Sequence, residues 1–93
     1  MAKAYMITYD LNNPGQRYTE IIKVIKEQLS NGVWCSYWKS SFLIKSDKNP
    51  TQMLDLLKPH LDNDDRFFIV EVVNNKQGWL EKDEWDYINR NIL

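Results

Sequence analysis

Strand-like and helix-like periodicities alternate along the chain, and the order in which they alternate most constrains its fold. Residues 5–11 alternate in polarity with the period of a β-strand, and four turn-forming residues follow at 12–15. An apolar stripe with spacings of three and four comes next and predicts an amphipathic helix. The stripe consists of Tyr18, Ile21, Ile22, Ile25 and Leu29. Asn31 and Gly32 predict the end of this helix, because both residues readily adopt the left-handed conformation found there.

The middle of the chain predicts two strands and a second helix. Residues 34–38 and 41–46 are rich in aromatic and other apolar side chains and predict two strands joined by a tight turn. Asn49 is a suitable cap for the helix that follows, and Gln52, three residues later, completes a capping box. Pro59 disfavours helical geometry at the preceding residue, so the regular helix is expected to end there.

The last third of the chain predicts one strand and one helix. Residues 67–73 are nearly all apolar, which is typical of a central strand covered on both faces. Trp85, Ile88 and Ile92 recur at helical spacing and predict a short amphipathic helix over about residues 80–92.

The predicted order is therefore strand, helix, strand, strand, helix, strand, followed by a terminal helix. We expect residues 1–93 to form a single α+β domain, a ferredoxin-like βαββαβ sandwich with its core at about 4–73 and both inner helices on one face of the sheet. The other face needs the terminal helix or a second copy of the chain to cover it, which predicts a homodimer.

Composition indicates in which cellular compartment this domain is expected and whether its charge favours nucleic acid. The chain has one cysteine, Cys35, so no internal disulfide forms and a reducing compartment is favoured. We expect no signal peptide and no membrane-spanning segment, because no apolar run approaches about 20 residues. These features predict a cytoplasmic protein. A net charge of −1 gives no general electrostatic indication of nucleic-acid binding.

Several short motifs, in their order and spacing, carry a resemblance to a known family. They are Tyr9-Asp10-Leu11-Asn12, Pro14-Gly15-Gln16 with Tyr18, residues 34–38 leading into 41–45, Lys58-Pro59-His60-Leu61-Asp62, and residues 68–72. Together they cover about residues 4–73. The chain resembles the CRISPR-associated protein 2 superfamily, and most closely a small SinR-like branch of bacterial and phage proteins.

The resemblance implies a role for Asp10, which matches the Asp that closes the first strand in the superfamily. In better-studied relatives this Asp faces its symmetry mate in a dimer and is proposed to bind a divalent metal for phosphodiester cleavage. For this chain the resemblance therefore implies an endonuclease that acts on RNA or DNA with Mg²⁺ or Mn²⁺ and with no organic cofactor. Elsewhere in the superfamily the same dimer only bridges protein partners and DNA, so a non-catalytic binding or adaptor module remains the alternative. Asp10 has a structural alternative as well, a hydrogen bond to the turn at 12–15.

A second group of residues is a candidate surface for nucleic acid or another partner. Aromatic rings stack on bases, and neighbouring cations attract phosphate. The candidates are Arg17, Trp34, Tyr37, Trp38, Lys39 and Lys45. The alternative is that the aromatic members belong to the core or to a dimer interface. His60, the single histidine, and the acidic stretch at 62–65 are expected to have structural roles at a helix end and a turn.

Overall fold

The structure, a computed structural model, describes residues 2–12 and 15–93; the side chains of residues 15–17 also lie outside this description. It is an α+β arrangement of a four-stranded sheet and three helices. In chain order the elements are β1 (Lys3–Asp10), α1 (Gly15–Val24), β2 (Trp34–Trp38), β3 (Ser41–Ser46), α2 (Pro50–Leu57), β4 (Arg66–Glu71) and α3 (Lys82–Tyr87). The helices continue into a π-helical turn at Ile25–Leu29, a 3₁₀ turn at Lys58–His60 and a π-helical turn at Ile88–Ile92, respectively.

The sheet is antiparallel throughout, with the strand order β2-β3-β1-β4. Strand β1 is central: its Ile7 lies opposite Phe42 of β3 on one side and opposite Ile69 of β4 on the other. β1 and β2 are separated by β3, and β3 and β4 are separated by β1, so each helical connection passes over one intervening strand.

The larger core lies between one face of the sheet and the first two helices. Alternate residues of β1 point into it, and Ile7 at the centre is completely buried. The buried members of this first core are Tyr5, Ile7, Tyr9, Ile21, Val24, Ile25, Leu29, Phe42, Ile44, Met53 and Leu57. Because both α1 and α2 contribute, the prediction that the two inner helices share one face of the sheet is confirmed.

A smaller core lies on the opposite face, beneath the terminal helix. Ile88 and Ile92 pack there against Leu43 of β3, Cys35 of β2 and Ala4 of β1. The helix therefore supplies part of the cover that the sequence required for this face.

The prediction that residues 67–73 form a central strand covered on both faces is wrong. β4 is an edge strand of the sheet. It ends at Glu71, and on the face opposite the larger core Phe68 is 65% exposed and Val70 43% exposed. An apolar run has the same composition whether or not another element covers its second face. Whether such a run is central or at the edge depends on the strand order, which here places β1 in the centre and β4 at the edge.

The local signals at helix ends are confirmed. The backbone N–H of Gln52 donates to Asn49 Oδ1 at 2.8 Å, and the N–H of Asn49 donates to Gln52 Oε1 at 2.9 Å, which completes the capping box. The helical segment from α1 ends at Leu29 with Ser30 as its C-cap, and Gly32, two residues further on, has φ +87°, a left-handed conformation that disfavours residues with a Cβ. None of the described helices is long and apolar enough to cross a membrane.

We predict that Asn49→Ala lowers the free energy of unfolding by about 1 kcal/mol, because the first turn of α2 loses its side-chain acceptor. Urea denaturation followed by circular dichroism measures the change. Thr51→Ala, an exposed substitution within the same helix, is the control. Equal unfolding free energies for the two variants would contradict the assigned capping role.

Candidate functional site

The terminal helix leaves part of the second sheet face uncovered, and this part is the candidate site. It is formed by neighbouring residues of β1 and β4 whose side chains alternate away from the larger core: Thr8 lies opposite Phe68, and Asp10 lies opposite Arg66. These four residues with Val70 are called the open face below. All five are exposed. The open face thus combines an apolar strip with a carboxylate and a guanidinium at one end.

Asp10 ends β1 with its side chain exposed at the rim of a shallow groove. Thr8, Arg66 and Phe68 also line this groove. The Thr8 hydroxyl accepts a hydrogen bond from Ser41 Oγ at 3.1 Å, which links the groove to β3. A carboxylate at this position is accessible to a ligand that approaches the open face.

Asp65 holds the backbone at Asn12, just after the end of β1. The N–H of Asn12 donates to Asp65 Oδ1 and the N–H of Asp62 donates to Asp65 Oδ2, each at 2.9 Å. Asp65 therefore joins the end of β1 to the entry of β4, a role that the local sequence pattern did not indicate. The acidic stretch at 62–65 is a turn, as expected, because Asp65 N–H also donates to the carbonyl of Asp62 at 3.1 Å.

Within the described part of the chain, no three His, Cys, Asp or Glu side chains form a group that would hold a metal ion. Mg²⁺ commonly takes only one or two protein carboxylates and completes its coordination with water. Asp10 supplies one exposed carboxylate, the lower end of that range. The arrangement predicted from the resemblance, in which two Asp10 side chains share one ion, needs two copies of the chain.

The residues predicted as a nucleic-acid or partner surface are divided between the two sheet faces. Trp34 packs at the margin of the larger core, where its ring lies 5.7 Å from that of Phe42 and Lys26 Nζ lies 4.3 Å above it. Tyr37 and Trp38 pack instead against the smaller core, with their ring centroids 5.9 Å apart. These rings do not form one stacking platform.

The three basic residues of that prediction are also separated. Lys39 is exposed at the β2–β3 turn, where its carbonyl accepts a hydrogen bond from the Tyr18 hydroxyl at 3.0 Å. Lys45 is half-buried in β3, and its backbone carbonyl accepts from the N–H of Asn31 at 2.8 Å. The side chain of Arg17 lies outside the described residues. A role for these residues in binding remains a prediction.

An apolar cavity of about 220 Å³ lies beside the open face and was not predicted from the sequence. Residues 72–81, called the strap below, cross the second sheet face between β4 and α3 and roof this cavity together with α3. The walls are formed by Met6, Trp38, Leu43, Val72, Leu80, Trp85, Ile88 and Leu93, with Lys76, Gln77, Gly78 and Trp79 along the strap. Its walls come from β1, β2, β3 and the C-terminal segment, so no local motif could have revealed it.

The single thiol is buried and protonated at neutral pH. Cys35 lies in the smaller core, and burial, with a further contribution from the carboxylate of Glu84, raises the pKa of its thiol to about 11. A protonated, enclosed thiol is a poor nucleophile, so the arrangement does not support cysteine-based catalysis.

Comparison with known proteins gives no relative from which a function could be transferred: no family model, no curated protein and no solved structure matches the chain.

We predict that Cys35 makes the free energy of unfolding fall as the pH rises from about 9 to about 11. The thiol binds its proton more tightly in the folded state, so its contribution is complete below the usual pKa of 9.0 and is lost as the pH passes the folded value of about 11. Urea denaturation at several pH values measures this dependence. In Cys35→Ser the decline over this interval is expected to be shallower than in the wild type; an identical decline would contradict the assignment.

Proposed function

We propose that this chain is a ferredoxin-like, homodimeric binding module in which the open face is the interface between two copies. The observation that carries the proposal is the exposure of Phe68, an aromatic side chain on a regular strand, beside the exposed Val70. The strand order and the position of α1 and α2 on one face support the fold assignment. The single cysteine supports a reducing, cytoplasmic setting.

The apolar strip favours contact with another protein surface. Full burial of a side chain such as Phe or Val contributes about 1.5–3 kcal/mol relative to exposure, and a twofold interface gains this contribution from each copy. Thr8, Asp10 and Arg66 surround the end of the strip with polar groups, which is the usual anatomy of an interface with an apolar centre and a polar rim. β4 is also an edge strand, and exposed edges are readily covered by another chain.

We predict that the wild-type protein is a dimer and that Phe68→Ser weakens its association by about tenfold or more, because two aromatic contacts are lost. Sedimentation equilibrium over a range of concentrations measures the dissociation constant. Lys23→Ser is the control, since Lys23 is an exposed residue of α1, the helix on the opposite side of the sheet from the open face.

A wild-type protein that stays monomeric at high concentration would overturn the homodimer. Equal weakening by the two substitutions would show that the interface does not involve the open face in particular.

A divalent-metal-dependent endonuclease is the second candidate function, and the exposure of Asp10 at the end of the open face favours it. Two copies that meet through this face could bring two Asp10 carboxylates to one Mg²⁺ or Mn²⁺ ion. The ion would polarise a phosphate of RNA or DNA and activate a water molecule. The resemblance to the CRISPR-associated protein 2 superfamily supports this role and a bacterial or phage origin.

We predict for this second candidate that Asp10→Asn lowers cleavage of a fluorescent RNA or DNA oligonucleotide by about 100-fold or more, because an amide is a weaker ligand for a hard cation. The assay compares Mg²⁺, Mn²⁺ and EDTA, and sedimentation checks that the variant still dimerises. Asp64→Asn, in the exposed turn before β4, is the control. Cleavage that persists in Asp10→Asn or in EDTA would contradict the metal site, and a wild-type dimer that cleaves neither substrate would leave only the binding module.

A further inference from the structure

The strap contacts the sheet or the smaller core near both of its ends. At its start the N–H of Val72 donates to the carbonyl of Ala4 at 2.9 Å, and near its end Leu80 packs into the smaller core. Between them Gly78 lies so close to Trp85 that a Cβ at this position would be 3.4 Å from the indole ring. Both neighbours of residue 79, Gly78 and Leu80, therefore pack against other parts of the chain.

Trp79 lies between these two packed residues and is completely exposed, at 100% of its accessible surface. Tryptophan is usually well buried because its indole has a large apolar surface. An exposed indole between two packed neighbours has the character of a binding anchor, since tryptophan is enriched among the residues that dominate binding energy.

The cavity beneath the strap matches an indole in size and chemistry. An apolar cavity of about 150 Å³ accommodates benzene, and in proportion to nine ring atoms rather than six an indole needs about 225 Å³. The cavity measures about 220 Å³, and its lining is mostly apolar, with Trp38, Trp85 and, along the strap, Trp79 among the wall residues; Lys76 and Gln77 add polar groups on the strap side. The exposed indole and the cavity that fits it are next to one another on the same surface.

We infer that Trp79 of each copy inserts into the apolar cavity of the other copy in the dimer. In a twofold interface one surface meets itself, so a projecting group and its receptor must both be present on that surface, and each contact occurs twice. Trp79 and the cavity satisfy this condition. This inference rests on the proposed homodimer and adds to it the pair of contacts that anchors the two copies.

The area that such contacts bury is in the range that a stable dimer needs. Each inserted indole buries roughly 150–250 Å², and the cavity wall that it covers loses a comparable area. Two such contacts, together with Phe68 and Val70 from each copy, approach the ~1,200 Å² of the smaller stable interfaces. Met6, which lines the cavity, lies opposite Val70 in the sheet, so the cavity and the open face are continuous.

A complementation experiment tests the inserted contact with two variants. Trp79→Ser retains the cavity but lacks the indole, whereas Val72→Trp fills the cavity and retains Trp79. We expect each variant alone to dimerise at least about tenfold more weakly than the wild type, as for other buried interface anchors. An equimolar mixture should associate more tightly than either variant alone, because one of the two contacts is restored, and Lys23→Ser on α1 should dimerise like the wild type.

Fluorine NMR of the protein labelled with 5-fluorotryptophan gives a second readout that needs no cavity variant. Trp79→Phe identifies the resonance of Trp79. Its frequency should depend on the H₂O/D₂O ratio in dilute protein, where the indole is exposed, and should lose this dependence as dimer forms.

The outcomes separate this inference from the proposed function. A dimer in which the Trp79 resonance stays sensitive to D₂O, or in which Trp79→Ser associates like the wild type, would overturn the inserted contact and leave the homodimer standing. A resonance that is already protected in the monomer would mean that Trp79 occupies its own cavity, which also overturns the inference. A protein that never dimerises would overturn both proposals.

Discussion

The pairing of β1 with two neighbours is the constraint on which the rest of the structure depends. β1 bonds antiparallel to β3 on one side and to β4 on the other, so its alternating side chains must serve two different environments. Tyr5, Ile7 and Tyr9 enter the larger core, while Ala4 contributes to the smaller one. A shift of one residue in this register would place Ile7 on the wrong face and expose the residues that now hold α1 and α2.

The unequal cover of the two faces explains where a partner would bind. Two helices cover the first face, whereas the second receives only the strap and the short terminal helix, which pack against the smaller core. Phe68 and Val70 remain exposed because nothing in the described chain extends over them. The same geometry leaves the apolar cavity open at its side, with the exposed Trp79 at its edge. Apart from Leu54 on α2, the exposed large apolar side chains of the described residues therefore belong to β4 and the strap, which is the basis for assigning this surface to a second copy.

The sequence predicted those elements that depend on local patterns. The bounds of β2 and β3 were predicted correctly from their composition, and the capping box at Asn49 was predicted correctly because it needs only residues three apart. The length of β4 and its place at the edge of the sheet could not be predicted locally, because strand order depends on contacts between distant segments.

The same distinction applies to the candidate site. Asp10 was identified through a resemblance, and its exposure at the end of β1 agrees with an accessible carboxylate. Trp34 and Trp38 lie on opposite faces of the sheet, and the cavity lies on one of them. Both features depend on how the strands are arranged around β1. Asp65 reaches a residue far away in the chain, so its hydrogen bond to Asn12 has no local signature.

Hydroxyl-radical footprinting at increasing protein concentration tests the central claim most directly, because it reports the accessibility of individual side chains. If the open face joins two copies, oxidation of Phe68 falls as the dimer forms, while oxidation of Ile22 on α1, on the other side of the sheet, stays constant. Constant oxidation of Phe68 across the whole concentration range would contradict the account, since the open face would then remain in contact with water.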